Sequence, residues 1–193
     1  CGLNQQSTIV VYDDSRMAYA ARAWWLLRYF GHQHVFILDG GFTAWKDSRG
    51  ALDRREPSIK SGNFKANIKA EWTANREEIL TDTQLLLIDS REEKRYRGEE
   101  EPIDPVAGHI PGALNYFWQD ATTDEGFIKS VEQQAARWTN LPTQENIVVY
   151  CGSGVTACVN LLSLNMSGID AKLYPGSWSD WCSYPGGPIK INS

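Results

Sequence analysis

The sequence predicts an α/β fold: a parallel sheet with helices on both faces, present as one complete domain plus the back half of a second. Three observations carry this expectation. A strand–turn–helix–strand unit occurs twice within 193 residues. Its strands are short, continuous runs of β-branched apolar residues, as in strands buried on both faces. Strand and helix patterns also alternate, which is the signature of a parallel sheet covered on both sides.

The first strand, Ile9-Val10-Val11-Tyr12, recurs as Ile147-Val148-Val149-Tyr150. A polar turn follows each copy, Asp13-Asp14-Ser15-Arg16 and then Cys151-Gly152-Ser153-Gly154. Helical spacing comes next. It reads Met17, Ala20, Ala21, Trp24, Leu27 and Phe30 in the first copy, and Val155, Cys158, Val159, Leu162 and Met166 in the second. Gly31 and Gly168 stand where a helix C′ residue is needed. A second strand is expected at Val35 to Leu38 and at Ala171 to Tyr174. Then come Asp39-Gly40-Gly41-Phe42 and Pro175-Gly176-Ser177-Trp178, with Trp45 and Trp181 three residues on.

The offset is 138 residues at the strand and 136 at the glycine loop. Phe64 to Asn146 has no counterpart in the chain. It includes a buried strand at Gln84 to Asp89 and a short one at Ala113 to Tyr116. The counterpart of this region would precede Cys1, so about 75 residues are expected to be absent at the N-terminus. The alternative is a natural one-and-a-half-domain chain with some other cover for its first half. The expected division is a partial domain at 1–50, a linker at 51–63 and a complete domain at 64–193. The linker falls in a stretch from Asp47 to Asn63 rich in charge, Gly, Pro and Ser.

Composition excludes several classes. With 42% hydrophobic residues the chain is not disordered. No apolar run approaches the ~18 residues of a membrane span. A formal charge of −5 argues against a nucleic-acid protein that works by neutralising phosphates. Four cysteines (Cys1, Cys151, Cys158 and Cys182) are too few for a disulfide scaffold. No pair forms C-x-x-C, and His32, His34 and His109 lie apart from most of them, so no zinc site is expected. Reduced thiols in the cytoplasm are the expectation, with Cys158 and Cys182 as small buried hydrophobes.

Cys151 differs, because it lies between a buried strand and a helix with glycines on either side of Ser153. The glycines let successive backbone N–H groups turn toward one spot, and the helix N-terminus adds partial positive charge. Such a cradle favours a thiolate or a persulfide anion. The first copy carries Asp13 at this place. An aspartate cannot carry sulfur, so that copy is read as non-catalytic. A cysteine phosphatase needs an Arg six residues after its nucleophile to clamp phosphate. That position is Ala157, which argues against phosphatase or arsenate reductase chemistry.

At this point the chain resembles the rhodanese family, in particular its tandem-domain sulfurtransferases. The motifs run Asp89-Ser90-Arg91, Arg95-Tyr96-Arg97-Gly98, His109-Ile110-Pro111-Gly112-Ala113, the Cys151 loop, and Gly176-Ser177-Trp178-Ser179-Asp180-Trp181. The likeness covers essentially the whole chain, and its first 55 residues match the rear of an inactive N-terminal domain. The loop Cys151-Gly152-Ser153-Gly154-Val155-Thr156 is similar to the 3-mercaptopyruvate form more than to the basic thiosulfate form.

The resemblance implies a rhodanese-like fold with Cys151 as the sulfur-carrying nucleophile. Arg95 would bind the donor anion, together with the loop residues Gly152, Ser153, Gly154, Val155 and Thr156. Arg91 and Arg97 would make structural ion pairs, and Asp89 would be a structural carboxylate. His109 would belong to a structural turn. Trp178 and Trp181 are read as packing residues, and Glu99-Glu100-Glu101 as a solvated loop. Related mercaptopyruvate enzymes often carry a second Arg before the His-Ile-Pro-Gly turn, and here Ile103 stands near that place.

The expected partners are a small anionic sulfur donor (3-mercaptopyruvate or thiosulfate) and a thiol or cyanide acceptor. No nucleic acid, membrane, metal or organic cofactor is expected. A persulfide carrier that delivers sulfur to a protein partner is the alternative function. If the first domain is incomplete, activity is expected to fall. Trp24, Trp25, Leu26 and Tyr29 would then lose some of their cover and could drive dimerisation or domain swapping.

Overall fold

The computed structural model describes residues 2–142 and 146–191; Cys1 lies outside them. β1 (Ile9–Val11) and β2 (Val35–Ile37) pair in parallel, and α1 (Ala18–Tyr29) connects them. α2 (Gly41–Asp47) follows. The second sheet has four parallel strands in the order β4-β3-β5-β6. They are β3 (Leu86–Asp89), β4 (Leu114–Asn115), β5 (Ile147–Tyr150) and β6 (Lys172–Leu173). The intervening helices are α3 (Arg76–Thr81), α4 (Glu93–Arg97), α5 (Val131–Trp138) and α6 (Ala157–Met166), and α7 (Ser177–Trp181) comes last.

The two-residue period of the strands sorts their side chains onto two cores. Leu86 and Ile88 of β3 and Ile147 and Val149 of β5 face α5, α6 and α1. Leu87, Val148 and Tyr150 face the other way, with Ile79, Ile110, Trp178 and Trp181. Both faces of the central strands are therefore covered, which is why they read as unbroken apolar runs.

The predicted glycine stops hold. Gly31 and Gly168 follow the C-caps of α1 and α6 in left-handed conformations, φ 90° and 73°. The two copies also share backbone strain. Arg16 (φ 53°) corresponds to Gly154 (φ 74°), and Gly41 (φ 67°) to Ser177 (φ 56°). A side chain at φ > 0 is costly unless its surroundings hold it there. For Arg16 the holding contacts come from the larger unit. Its guanidinium donates to Thr122 Oγ1 (3.0 Å), Gln119 Oε1 (3.0 Å) and the Gln119 carbonyl (3.1 Å).

Cover for the first unit departs from expectation. Trp24 and Trp25 are 7% and 4% exposed, in one core with Leu161 and Leu164 of α6. Leu26 and Tyr29 pack on the same core. Arg28 lies over Trp24 and Trp72 and donates to Asn165. The larger unit thus covers Trp24 and Trp25 fully and Leu26 and Tyr29 in part. The aromatic and aliphatic surface left open includes Val10, Tyr12, Tyr19 and Phe36, each more than half exposed.

Residues 51–63 are exposed and carry neither helix nor strand. The Trp45 indole N–H holds the Ala51 carbonyl at the start of the segment. At its end, Asn63 and Phe64 bond Asn4 and Leu3. Between them the bonded contact is local, Arg55 on Asp53.

Candidate active site

β5 delivers Cys151 to the carboxyl end of the sheet, where ligands of open α/β folds sit. The residue is 2% exposed. Its backbone is fixed from the loop that starts α7. Cys151 N–H donates to Ser177 Oγ (3.1 Å), and Trp178 N–H donates to the Cys151 carbonyl (3.0 Å). The Gly152 carbonyl accepts from both the backbone N–H and the hydroxyl of Ser179, at 2.9 and 2.8 Å. Gly154 must be glycine on two counts. Its φ is +74°, and a Cβ there would stand 2.5 Å from the Pro175 carbonyl oxygen.

The turn holds a run of six backbone N–H groups, from Gly152 to Ala157, that make no hydrogen bond among the described residues. In a half-buried turn, such a run is a built-in attraction for an anion. The first copy shows what satisfies it. Asp13, at the place of Cys151, accepts there from four N–H groups: Ser15 (2.7 Å), Met17 (3.1 Å), Tyr19 (2.8 Å) and Ala20 (2.7 Å). Shifted by 138, these donors are Ser153, Val155, Ala157 and Cys158. The last of them bonds the Val155 carbonyl instead. One copy holds a carboxylate in the cradle, and the other has Cys151, 2% exposed, at the same place.

Arg95 flanks this turn. Its Nη1 and Nη2 lie 3.7 and 3.8 Å from the place a Cβ on Gly152 would take. It does not stand free for a donor. Nη2 is 2.6 Å from Glu101 Oε1 and 3.3 Å from Asp104 Oδ2, and Nε is 3.2 Å from Glu101 Oε2. Glu101 is the departure from the solvated-loop reading. Its side chain is 4% exposed and also binds Arg91 Nη1 at 3.2 Å. Burial works to raise its carboxyl pKa, but the Arg95 bonds and the N–H groups of Asp104 and Ile103 hold it below the usual range. Glu99 and Glu100 are exposed, as expected.

The remaining motif residues are structural. Asp89 is fully buried and takes Arg91 on both oxygens, at 3.1 and 2.7 Å for the closest bonds. Arg97 pairs with Glu93 at 2.5 Å. His109 is 1% exposed, stacks on Tyr96 with centroids 3.9 Å apart, and bonds the Tyr96 carbonyl through Nδ1 at 2.7 Å. Burial lowers its pKa, which keeps a structural imidazole neutral. Trp178 and Trp181 are core residues, 0% and 1% exposed. Cys158 is buried and its thiol is pushed up to about 12 by desolvation. A cavity of about 1160 Å³ lies away from Cys151, between α4 and α5, and includes none of the loop residues.

Two residues escaped the sequence reading. Ser177 was passed over although the repeat aligns it with the left-handed Gly41. Asp104 had no signal, since nothing local marks it as the partner of Arg95.

Known proteins are similar to this chain over nearly its whole length. A family model described as "Rhodanese-like domain" matches residues 2–48 and 73–184. A protein of Pseudomonas aeruginosa named probable 3-mercaptopyruvate sulfurtransferase is 44% identical over 197 residues, covering 97% of this chain and 69% of that protein. A putative thiosulfate sulfurtransferase, SseB, of Mycobacterium tuberculosis is 39% identical, covering 98% and 69%. The crystal structure of SseA from Escherichia coli, a 3-mercaptopyruvate sulfurtransferase, superposes with a TM-score of 0.78 at 35% identity. It covers 92% of this chain and 69% of that one. One EanB structure superposes with a TM-score of 0.85 at 20% identity and shares the fold.

Proposed function

This chain belongs to the rhodanese family and is a sulfurtransferase, and we propose that it carries sulfur on Cys151. The Cys151 thiolate attacks the outer sulfur of the donor. A new S–S bond forms at Sγ. With thiosulfate the donor S–S bond breaks and sulfite leaves with the electron pair. With 3-mercaptopyruvate the C–S bond breaks, and pyruvate leaves as its enolate and takes up a proton. A thiol or cyanide then attacks the terminal sulfur of the Cys151 persulfide, and the thiolate is regenerated. This is covalent catalysis in two half-reactions.

The observation that carries the assignment is the run of open N–H groups from Gly152 to Ala157, set beside the Asp13 carboxylate that fills the same turn in the first copy. Both the thiolate and the persulfide are anions that such a turn stabilises. The backbone of Gly152, Ser153, Gly154, Val155 and Thr156 is therefore the proposed anion cradle, and Arg95 the proposed cation for the donor. Residues 64–191 would hold the reacting groups. Residues 2–50 would act as a scaffold that clamps residues 119–122 through Arg16. Among the described residues, no helix is long and apolar enough to cross a membrane. We place the reaction in the cytoplasm, on the support of free thiols at Cys151, Cys158 and Cys182.

Intact-mass analysis after exposure to each donor checks the route. One added sulfur atom is expected, mapped by peptide analysis to Cys151 and not to buried Cys158. Loss of that sulfur on adding cyanide or a thiol should follow. A folded protein that takes up no sulfur from either donor would sink the proposal. Uptake from donors with poor steady-state turnover would favour the persulfide-carrier alternative.

A further inference from the structure

The charges around Arg95 do not balance. Arg91 and Arg95 face three carboxylates, Asp89, Glu101 and Asp104, so this network carries one net negative charge. Asp89 is committed to Arg91 and its backbone N–H. Glu101 is committed to both arginines and to the N–H groups of Ile103 and Asp104. Asp104 is the surplus. Among the described residues its carboxylate makes one bond, to Arg95 at 3.3 Å, the longest of the network's ion pairs. It sits in a segment without helix or strand, beside Ile103, which is 73% exposed. Its side chain is nonetheless only 7% exposed, turned inward onto Arg95.

We infer that Asp104 competes with the donor anion for Arg95 and so sets donor affinity and donor preference. This inference rests on Cys151 as the sulfur carrier and Arg95 as the donor's cation. A donor that approaches the Gly152 side of the turn meets a guanidinium already held by two carboxylates. The displaceable one is Asp104, because Glu101 is anchored at five points. While Asp104 is ionised it also repels whatever negative charge the donor brings. Thiosulfate brings two charges; 3-mercaptopyruvate, with its thiol protonated, brings one. The repulsion counts once per donor charge, so it multiplies through for the dianion. Asp104 therefore favours a singly charged donor.

The test is persulfide formation on Cys151 against donor concentration, with the whole chain. Asp104→Asn removes the charge and keeps the shape. The half-saturating concentration should fall about threefold for 3-mercaptopyruvate and about tenfold for thiosulfate, with the limiting rate within about twofold of the parent. Asp104→Glu keeps the charge and should keep the parent's preference. Asp104→Ser removes the charge with less bulk and should repeat the Asn result. Unchanged half-saturation, or an equal gain for both donors, overturns the inference. The unaltered protein supplies a test that needs no variant: it should half-saturate at a higher concentration of thiosulfate than of 3-mercaptopyruvate, and the reverse order overturns the inference. Absence of any persulfide in the parent would mark a different failure, that of Cys151 as carrier.

Discussion

Cys151→Asp should yield a protein with no measurable sulfur transfer and a higher melting temperature than its parent. The loss is expected because a carboxylate cannot hold sulfane sulfur. Turnover should fall by at least about three orders of magnitude, as when a covalent nucleophile is removed. The gain follows from the repeat. Asp13 collects four backbone N–H groups in the first copy, and Gly152 to Ala157 leave a comparable set open in the second. A carboxylate placed there should accept several charge-assisted hydrogen bonds, a gain on the order of 1–3 kcal/mol. Cys151→Ser is the control. It should lose turnover as completely but gain little stability, because a neutral hydroxyl accepts weakly. Calorimetry on the three proteins reads the difference. A melting temperature for Cys151→Asp below that of Cys151→Ser would mean that the N–H groups do not converge on this position. A higher melting temperature for the inactive Cys151→Asp would instead show activity and stability opposed at a single residue, a familiar cost of reactive sites.

Glu101→Ala should destabilise the chain by about 2–4 kcal/mol, because the buried acceptor of five charge-assisted hydrogen bonds is removed while Asp89 and Asp104 still pair the two arginines. Arg91, with its side chain 2% exposed, would lose one of its carboxylates. Arg95 would lose its 2.6 Å contact, and the N–H groups of Ile103 and Asp104 would lose their acceptor. Denaturant unfolding at neutral pH measures this. The pH dependence has a definite sign. The folded carboxyl is held below its unfolded range, so its contribution is complete above the unfolded pKa and is lost as pH falls through the folded value. The gap between parent and variant should therefore be flat from pH 7 to about pH 5 and narrow in more acid solution. A gap of under about 1 kcal/mol at neutral pH would show that the network is not a structural keystone.

Local pattern made much of this molecule readable. The apolar run at Ile147 is a strand covered on both faces, whereas the matching run at Ile9 forms a strand that leaves Val10 53% exposed. Gly31 and Gly168 stop helices because they alone adopt the left-handed C′ conformation cheaply. Cys151 stood out because glycines and a helix start surround it. Two local signals were readable and were missed. Asn75-x-x-Glu78 and Ser130-x-x-Gln133 both form capping boxes, at the starts of α3 and α5. Other features have no local signature. Three consecutive glutamates look alike, and Glu101 is singled out only when Arg91 and Arg95 close around it. The cover of Trp24 and Trp25 is not legible locally because α6, which supplies it, is more than a hundred residues away in sequence. Arg16 likewise finds its partners at residues 119 and 122. Long-range docking of this kind depends on the assembled shape, which no period of 2 or 3.6 encodes.

The connection between the two units has a further consequence. They meet through α1 against α6 and through the Arg16 clamp, while residues 52–58 run exposed between the Trp45–Ala51 bond and the stretch held by Leu3 and Asn4. That stretch is a tether and not a strut. Closing a flexible loop costs only about 0.6 kcal/mol for each doubling of its length. The segment can therefore lengthen, shorten or drift in composition with little effect on how the units meet. It is the natural place to graft a tag, a cleavage sequence or a fluorescent reporter without disturbing the cysteine turn.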